Sequence, residues 1–184
     1  MSDISVIARH AVTVLAGQLA VMAFGVTDTI VAGRFSADAL AALSVASAVF
    51  VSVYVSLMGV LQALLPVWAE QHGRGETAAI GQSFRQSLYL AAAASVLGMG
   101  VLLFPEPLLR LTEVPDAMRE SVRDYLIIVG WALPSALFFR LYTTLNQALG
   151  RPQLVTWIQV GALVLKVPLS IWFTFGGWGI APQG

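Results

Sequence analysis

Five long apolar segments dominate the chain, and they restrict its fold more than any other feature. They lie at about residues 10–33, 39–69, 81–104, 122–149 and 154–175. A helix of about 20 apolar residues is long enough to cross the hydrocarbon core of a bilayer. Backbone groups inside lipid must be hydrogen-bonded within their own segment, so such segments fold as helices. The sequence therefore predicts an all-α, polytopic membrane helix bundle with about five transmembrane helices.

The composition excludes several classes of function. Hydrophobic residues make up 58% of the chain and charged residues 11%, which is too few charged groups for the polar surface of a soluble domain. The net charge is zero, so no basic surface for nucleic acid is expected. Cysteine is absent, and His10 and His72 lie far apart, so we expect no metal site. No Ser/His/Asp set or carboxylate pair shares a span, so the sequence predicts no enzyme.

The first apolar segment is predicted to be a retained span and not a signal peptide. It is longer than the apolar part of a signal peptide, which has about 7–15 residues, and it contains Asp28. The arginines on the alternate sides of the predicted spans balance, so charge alone does not orient the chain.

Short polar connections separate the spans. Ser36 is a predicted N-cap of the second span, and residues 71–77 are predicted to form a glycine-rich loop. Residues 105–125 are the most charged stretch, where apolar residues indicate a short helix at the membrane interface. Gly150 and Pro152 are predicted to end one helix and to begin the next.

Prolines and small residues interrupt the apolar segments. Pro66, Pro134 and Pro168 each remove one helical hydrogen bond, which fits a bundle of bent helices around a cavity. The alternative is that proline is simply common in membrane helices. Small residues four apart, Ala94 with Gly98, favour close helix packing, as do Ser44 and Ala48.

Asp28 is the candidate functional residue that stands out most clearly. It is the only charged side chain between His10 and Arg34. An ionisable group within a span costs several kcal/mol unless it is paired, protonated or wetted, and it often marks an ion or substrate pathway. The fifth span contains Lys166. If both spans end on the same face, Asp28 lies about 8 Å and Lys166 about 14 Å below that face, at about 1.5 Å per residue. Two interpretations remain open, namely a structural salt bridge and an ion-responsive carboxylate.

Two further polar residues are candidates for the lining of a cavity. Gln18 lies ten residues before Asp28, which is about 80° around the helix, so it lies at the cavity edge or bonds a neighbouring helix. Arg140 lies about ten residues from the turn at Gly150 and is deep enough to need a partner or water.

Residues 17–43, GQLAVMAFGVTDTIVAGRFSADALAAL, resemble the first-span signature of the MATE family, the multidrug and toxic compound extrusion transporters. Three other stretches agree with this resemblance. They are QHGRG at 71–75, the stretch from Pro134 through Arg140 to the Gly-Arg-Pro at 150–152, and KVPLS at 166–170. The resemblance covers essentially the whole chain.

The resemblance implies a fold and a function. Family members have twelve spans in two six-helix lobes, so residues 1–184 correspond to an N-terminal transmembrane lobe with five of its six helices, and the C-terminal lobe is missing. Members are antiporters of the bacterial inner membrane, and their N-terminus lies in the cytoplasm. They export cationic and amphipathic drugs and other toxic organic compounds, driven by H⁺ or Na⁺, with no other cofactor. The family's aspartate in the first span corresponds to Asp28 and takes part in coupling.

The fifth span departs from the family pattern. Lys166 and Ser170 stand where well-known members carry asparagines beside the aspartate. A lysine repels sodium and competes for the carboxylate, which favours proton coupling or a structural pair. Asp28, Lys166 and Ser170 are therefore the predicted coupling set.

The length of the chain leaves further interpretations open. The chain is predicted to be a fragment, a truncated gene product or half of a split transporter. One alternative function is a lipid-linked sugar flippase of the wider superfamily, which predicts a strongly basic cavity, with Arg140 and Lys166 as the candidate residues. The other alternative is a non-transporting fragment whose helices only pack.

Overall fold

Seven helices account for nearly all of the structure, a computed structural model that describes residues 3–111 and 115–175. In chain order they are α1 (Asp3–Phe35), α2 (Ala37–Gln62), α3 (Leu64–Gly73), α4 (Thr77–Leu103), α5 (Glu106–Leu111), α6 (Asp116–Ala148) and α7 (Pro152–Phe175). These residues contain no strand, so the predicted all-α class is confirmed.

Five stretches of helix are long and apolar enough to cross a membrane. They are Ala11–Phe35, Ala37–Gly73, Thr77–Leu103, Met118–Ala148 and Pro152–Phe175. All five coincide with the predicted segments, although most of their ends differ by a few residues. Pro134 and Pro168 lie inside α6 and α7, and both helices continue through them.

The second membrane segment consists of two helices, α2 and α3, which meet at Ala63. Pro66 lies in the first turn of α3 and has no N–H to donate to the carbonyl of Gln62, which explains the interruption. The helix then continues to Gly73, so the predicted loop at 71–77 is shorter than expected. Gly75 makes the turn, with a φ of 73° that glycine adopts without strain.

The charged stretch after α4 contains a short helix, as predicted, but it also contains the start of α6. Leu109 of α5 is fully buried against the core. Val114, one of the apolar residues that indicate the short helix in the sequence, lies outside the described residues. Helix α6 begins at Asp116, before the predicted start of the fourth span at 122. Pro115 precedes the helix and Asp116 lies in its first turn, where an acidic side chain is favourable.

The chain forms two compact units, Met1–Ala41 with Gly150–Gly184 and Ala42–Leu149. In the second unit, α4 and α6 pack against each other in antiparallel directions, with Gly98 opposite Leu133 and Gly130 opposite Leu102. Ala94 and Gly98 are buried in this contact as predicted, whereas Ser44 and Ala48 are exposed.

A buried tryptophan anchors α3 in the second unit. Trp68 is fully buried, and its indole N–H donates to Ser83 Oγ of α4 at 3.0 Å. This bond satisfies the one polar group of an otherwise apolar side chain. Trp68 belongs to a buried apolar cluster whose other members include Leu61, Leu102, Leu126, Leu133, Leu137 and Leu141.

The first unit pairs α1 with α7. Thr156 Oγ1 donates to the carbonyl of Thr13 at 3.0 Å, 143 residues apart, and Lys166 Nζ donates to the carbonyl of Phe24, 142 residues apart. Because this separation stays nearly constant along the two helices, α1 and α7 run parallel. Gly17 lies in this contact, where a Cβ would lie 2.5 Å from Gln159 Oε1 and 3.2 Å from Thr156 Oγ1 of α7.

The helix ends of the first unit follow the predicted turn chemistry. Ser36 Oγ accepts a hydrogen bond from the backbone N–H of Ala39 at 3.0 Å, which is the predicted N-cap of α2. Gly150 has a φ of 66°, and Pro152 is the first residue of α7.

Candidate functional site

The structure brings Asp28 of α1 and Lys166 of α7 together. Lys166 Nζ lies 2.7 Å from Asp28 Oδ1 and 2.6 Å from Asp28 Oδ2, so one ammonium bonds both carboxylate oxygens. These are charge-assisted hydrogen bonds, which are short and strong. The depth argument from the sequence allowed this pair, and the parallel packing of α1 and α7 produces it.

Phe24 adds two further contacts to the same ammonium. Its backbone carbonyl accepts from Lys166 Nζ at 3.3 Å, and the centre of its ring lies 4.9 Å from Nζ. A cation at this distance from an aromatic face is attracted by the ring. Phe24 was not a predicted site residue. The available signal was its position one helical turn before Asp28, since residues four apart lie on the same face of a helix.

The charged pair is partly accessible. The exposed fraction is 27% for the Lys166 side chain and 38% for the Asp28 side chain. A groove of about 690 Å³ runs between α1 and α7, and neither Asp28 nor Lys166 is among its lining residues. It is lined by Thr27, Ile30, Val31, Arg34, Val167, Ile171 and Phe175. Thr27 and Val167 are the sequence neighbours of Asp28 and Lys166, so the charges lie beside a mainly apolar opening.

The other two predicted residues of the first unit make no side-chain hydrogen bond to the pair in the described part of the chain. Ser170 is half-buried one turn after Lys166 on α7, and no side-chain hydrogen bond joins it to Asp28 or Lys166 among the described residues. Gln18 is exposed, whereas its neighbour Gly17 is buried against α7. Gln18 is also absent from the lining of the groove.

Arg140 belongs to the second compact unit. Its Nη2 donates to Gln62 Oε1 at 2.7 Å, which joins α6 to the end of α2. Its Nε is buried and has no hydrogen-bond partner among the described residues. Gln62 thus supplies one of the partners that a guanidinium within a span needs. The two predicted basic residues, Arg140 and Lys166, therefore each have a partner of their own.

Five stretches of helix long and apolar enough to cross a membrane, two of them joined by a charged pair, indicate a multi-pass membrane protein. The family model described as MatE matches residues 14–172, and the chain belongs to this family. The family predicted from the first-span signature is thereby confirmed.

The chain is similar to several bacterial proteins along nearly its whole length. It is 36% identical over 176 residues to a probable multidrug resistance protein NorM of Aromatoleum aromaticum, covering 96% of this chain and 38% of that protein. It is 29% identical to a protein of the same name in Neisseria meningitidis serogroup B, covering 100% of this chain and 40% of that protein. It is 31% identical to the multidrug resistance protein MdtK of Pectobacterium atrosepticum, covering 95% of this chain and 38% of that protein.

The chain thus spans about two fifths of the length of the relatives it matches. This share agrees with the prediction that the chain corresponds to part of a longer transporter.

Proposed function

We propose that this chain works as part of a cation-coupled antiporter that exports drugs and other toxic organic compounds across a bacterial inner membrane. Family membership and the names of the relatives support the transport role. The single observation that supports coupling is the Asp28–Lys166 pair, because charges within a span are costly and rare unless a function requires them. The substrates are cationic or amphipathic small molecules, and transport involves no enzymatic step.

The coupling ion in this proposal is the proton. The Lys166 ammonium already neutralises the Asp28 carboxylate, and its positive charge opposes the approach of Na⁺. A proton that binds Asp28 removes the negative charge and releases Lys166 from the pair. Each cycle therefore alternates between a paired and a protonated Asp28, and α1 and α7 are the helices that respond. Ser170 lies close enough along α7 to contact Lys166 after its release.

Alternating access in this family of folds needs two halves that move against each other. The proposed partners of this chain are therefore membrane lipid and a C-terminal lobe, and no cofactor other than the coupling ion is proposed. The sugar-flippase alternative is not favoured, because the relatives are named for multidrug resistance.

The test replaces Asp28 by asparagine in the full transporter that contains this chain. Everted membrane vesicles report drug uptake under an imposed proton gradient, and the same vesicles are tested with a sodium gradient. We expect the Asp28→Asn variant to lose proton-driven uptake. The matched control is Asp38→Asn, since Asp38 is also an aspartate but is exposed in the first turn of α2. The coupling role is contradicted if the Asp28→Asn variant takes up drug at the wild-type rate and with the wild-type pH dependence.

A second experiment separates this proposal from a non-transporting fragment. The 184-residue chain is expressed alone and together with a separately encoded C-terminal half of a relative. Restored drug resistance only on co-expression supports a transporter half. Stable expression of both halves with no transport contradicts it.

A further inference from the structure

The surroundings of Lys166 Nζ have the composition of an ammonium-binding site. Both oxygens of a carboxylate lie at 2.6–2.7 Å, a backbone carbonyl lies at 3.3 Å, and an aromatic ring centre lies at 4.9 Å. Carboxylate and carbonyl oxygens accept the N–H bonds of an ammonium, and an aromatic face stabilises its charge. None of these interactions depends on the ammonium being attached to this chain.

A single turn of α1 supplies every one of these groups. The carboxylate is that of Asp28, and both the carbonyl and the ring belong to Phe24, four residues earlier on the same helix. Helical carbonyls point towards the C-terminal end of a helix, so the Phe24 carbonyl is directed towards the turn that carries Asp28. Helix α7 contributes only the ammonium. Removing the Lys166 side chain therefore removes none of the binding groups themselves.

We propose that Asp28 and Phe24 form a binding site for small primary ammonium ions, and that the chain fills this site with its own Lys166. Lys166 is then a tethered occupant that any external cation must displace. A group held in place by its own chain competes as if it were present at about millimolar concentration or above. The tethered lysine thus keeps external cations at low concentration out of the site, although the site is partly accessible.

The geometry also predicts which external ion binds best once the lysine side chain is gone. Methylammonium carries the same charge as the lysine head and three N–H donors, so it can reproduce all of the contacts of Nζ. Sodium can coordinate the same carboxylate and carbonyl oxygens directly, but these few oxygens beside an aromatic ring leave most of its coordination shell unfilled. The site should therefore prefer methylammonium to sodium, although both are monovalent.

The experiment measures the thermal stability of the purified full chain in detergent at neutral pH. Lys166→Gln removes the charge and keeps most of the side-chain length. Methylammonium chloride or sodium chloride is titrated into the tens of millimolar at constant ionic strength, with N-methylglucamine chloride as the replacement salt. For Lys166→Gln, we expect methylammonium to raise Tm by about 3–6 °C at a concentration tenfold above Kd. Sodium should raise it less.

Three controls identify the origin of such a shift. Wild type and Lys166→Arg keep a tethered cation that competes for the site, so each should respond much less than Lys166→Gln at the same methylammonium concentration. The double variant Asp28→Asn/Lys166→Gln lacks the carboxylate and should not respond either. If Lys166→Gln does not fold, Lys166→Met replaces it, because the methionine side chain still fills the space of the apolar lysine stem.

The proposal is overturned if the folded Lys166→Gln or Lys166→Met protein shows no response to methylammonium, or an equal response to sodium. It is also overturned if wild type responds as strongly as the variant, since Lys166 would then not occupy the site. Drug uptake is not part of this measurement. A negative result in the thermal-stability titration therefore does not bear on the proposed proton coupling, which is tested by drug uptake into vesicles that contain the Asp28→Asn variant.

Discussion

Replacing Gly98 by alanine should destabilise the second compact unit, whereas the same replacement at Gly100 should not. Both glycines lie in α4, two positions apart. A Cβ at Gly98 would clash with Leu133 and lie 2.6 Å from Leu57 Cδ1, whereas nothing lies within 4 Å of a Cβ at Gly100. Leu133 is fully buried, so it has little room to move away. The two variants therefore share their chemistry and differ in the space available to them.

Two opposing effects set the size of the expected change. Replacing glycine by alanine within a helix stabilises it by about 0.8–1.0 kcal/mol, and Gly100→Ala should show this gain alone. Overpacking a filled core costs roughly 1–3 kcal/mol, and this cost applies to Gly98→Ala only. The free energies of unfolding of the two variants should therefore differ by about 1–3 kcal/mol, with Gly98→Ala the less stable.

The assay is reversible unfolding of the chain in mixed micelles, driven by an increasing fraction of denaturing detergent and followed by helical circular dichroism. Wild type should lie between the two variants or close to Gly98→Ala. Equal unfolding midpoints for Gly98→Ala and Gly100→Ala would refute the close packing of α4 against α6 at this position.

Three other changes test local features with the same assay. Gly150→Ala should cost about 1 kcal/mol, because alanine is strained at a φ of 66°. Trp68→Phe should lose about 1 kcal/mol from the hydrogen bond to Ser83, and adding Ser83→Ala should then cause little further loss if that bond is the cause. Ser36→Ala should cost about 1 kcal/mol by leaving the N–H of Ala39 without its cap, and an unchanged midpoint would show that the cap does not stabilise α2.

The positions of the spans could be predicted from the sequence, because lipid imposes a minimum apolar length. Which span packs against which could not be predicted. The observed helix ends differ from the predicted span ends where polar residues extend a helix beyond its apolar part, as at Gly73 and Asp116. The pairing of α1 with α7 had no signal in the apolar pattern, because spans that are apolar on every side have no single face that marks the contact. Gly17 was visible in the sequence, but its role depends on Gln159 lying opposite.

The candidate site was predictable in part for a similar reason. Depth along a helix follows from residue number, so Asp28 and Lys166 could be placed at similar levels before the structure was known. Direction around a helix depends on what packs against it. The sequence therefore did not decide whether Gln18 and Ser170 face the pair. The role of the Phe24 carbonyl was not predicted, because every residue has a backbone carbonyl. Only the position of Lys166 in the structure shows that this carbonyl accepts a hydrogen bond from Nζ.

The pairing of the first and last described helices has a consequence for how the chain is made. Asp28 precedes Lys166 by 138 residues, and synthesis proceeds from the N-terminus. At about 5–20 residues per second, the carboxylate waits roughly 7–28 s for its ammonium. During that time Lys166 is not there to pair with Asp28, so α1 either enters the bilayer with an unpaired acidic side chain or remains in the insertion machinery until α7 is available. Among the described helices, the ion pair of the first unit is thus one of the last contacts that can form during synthesis.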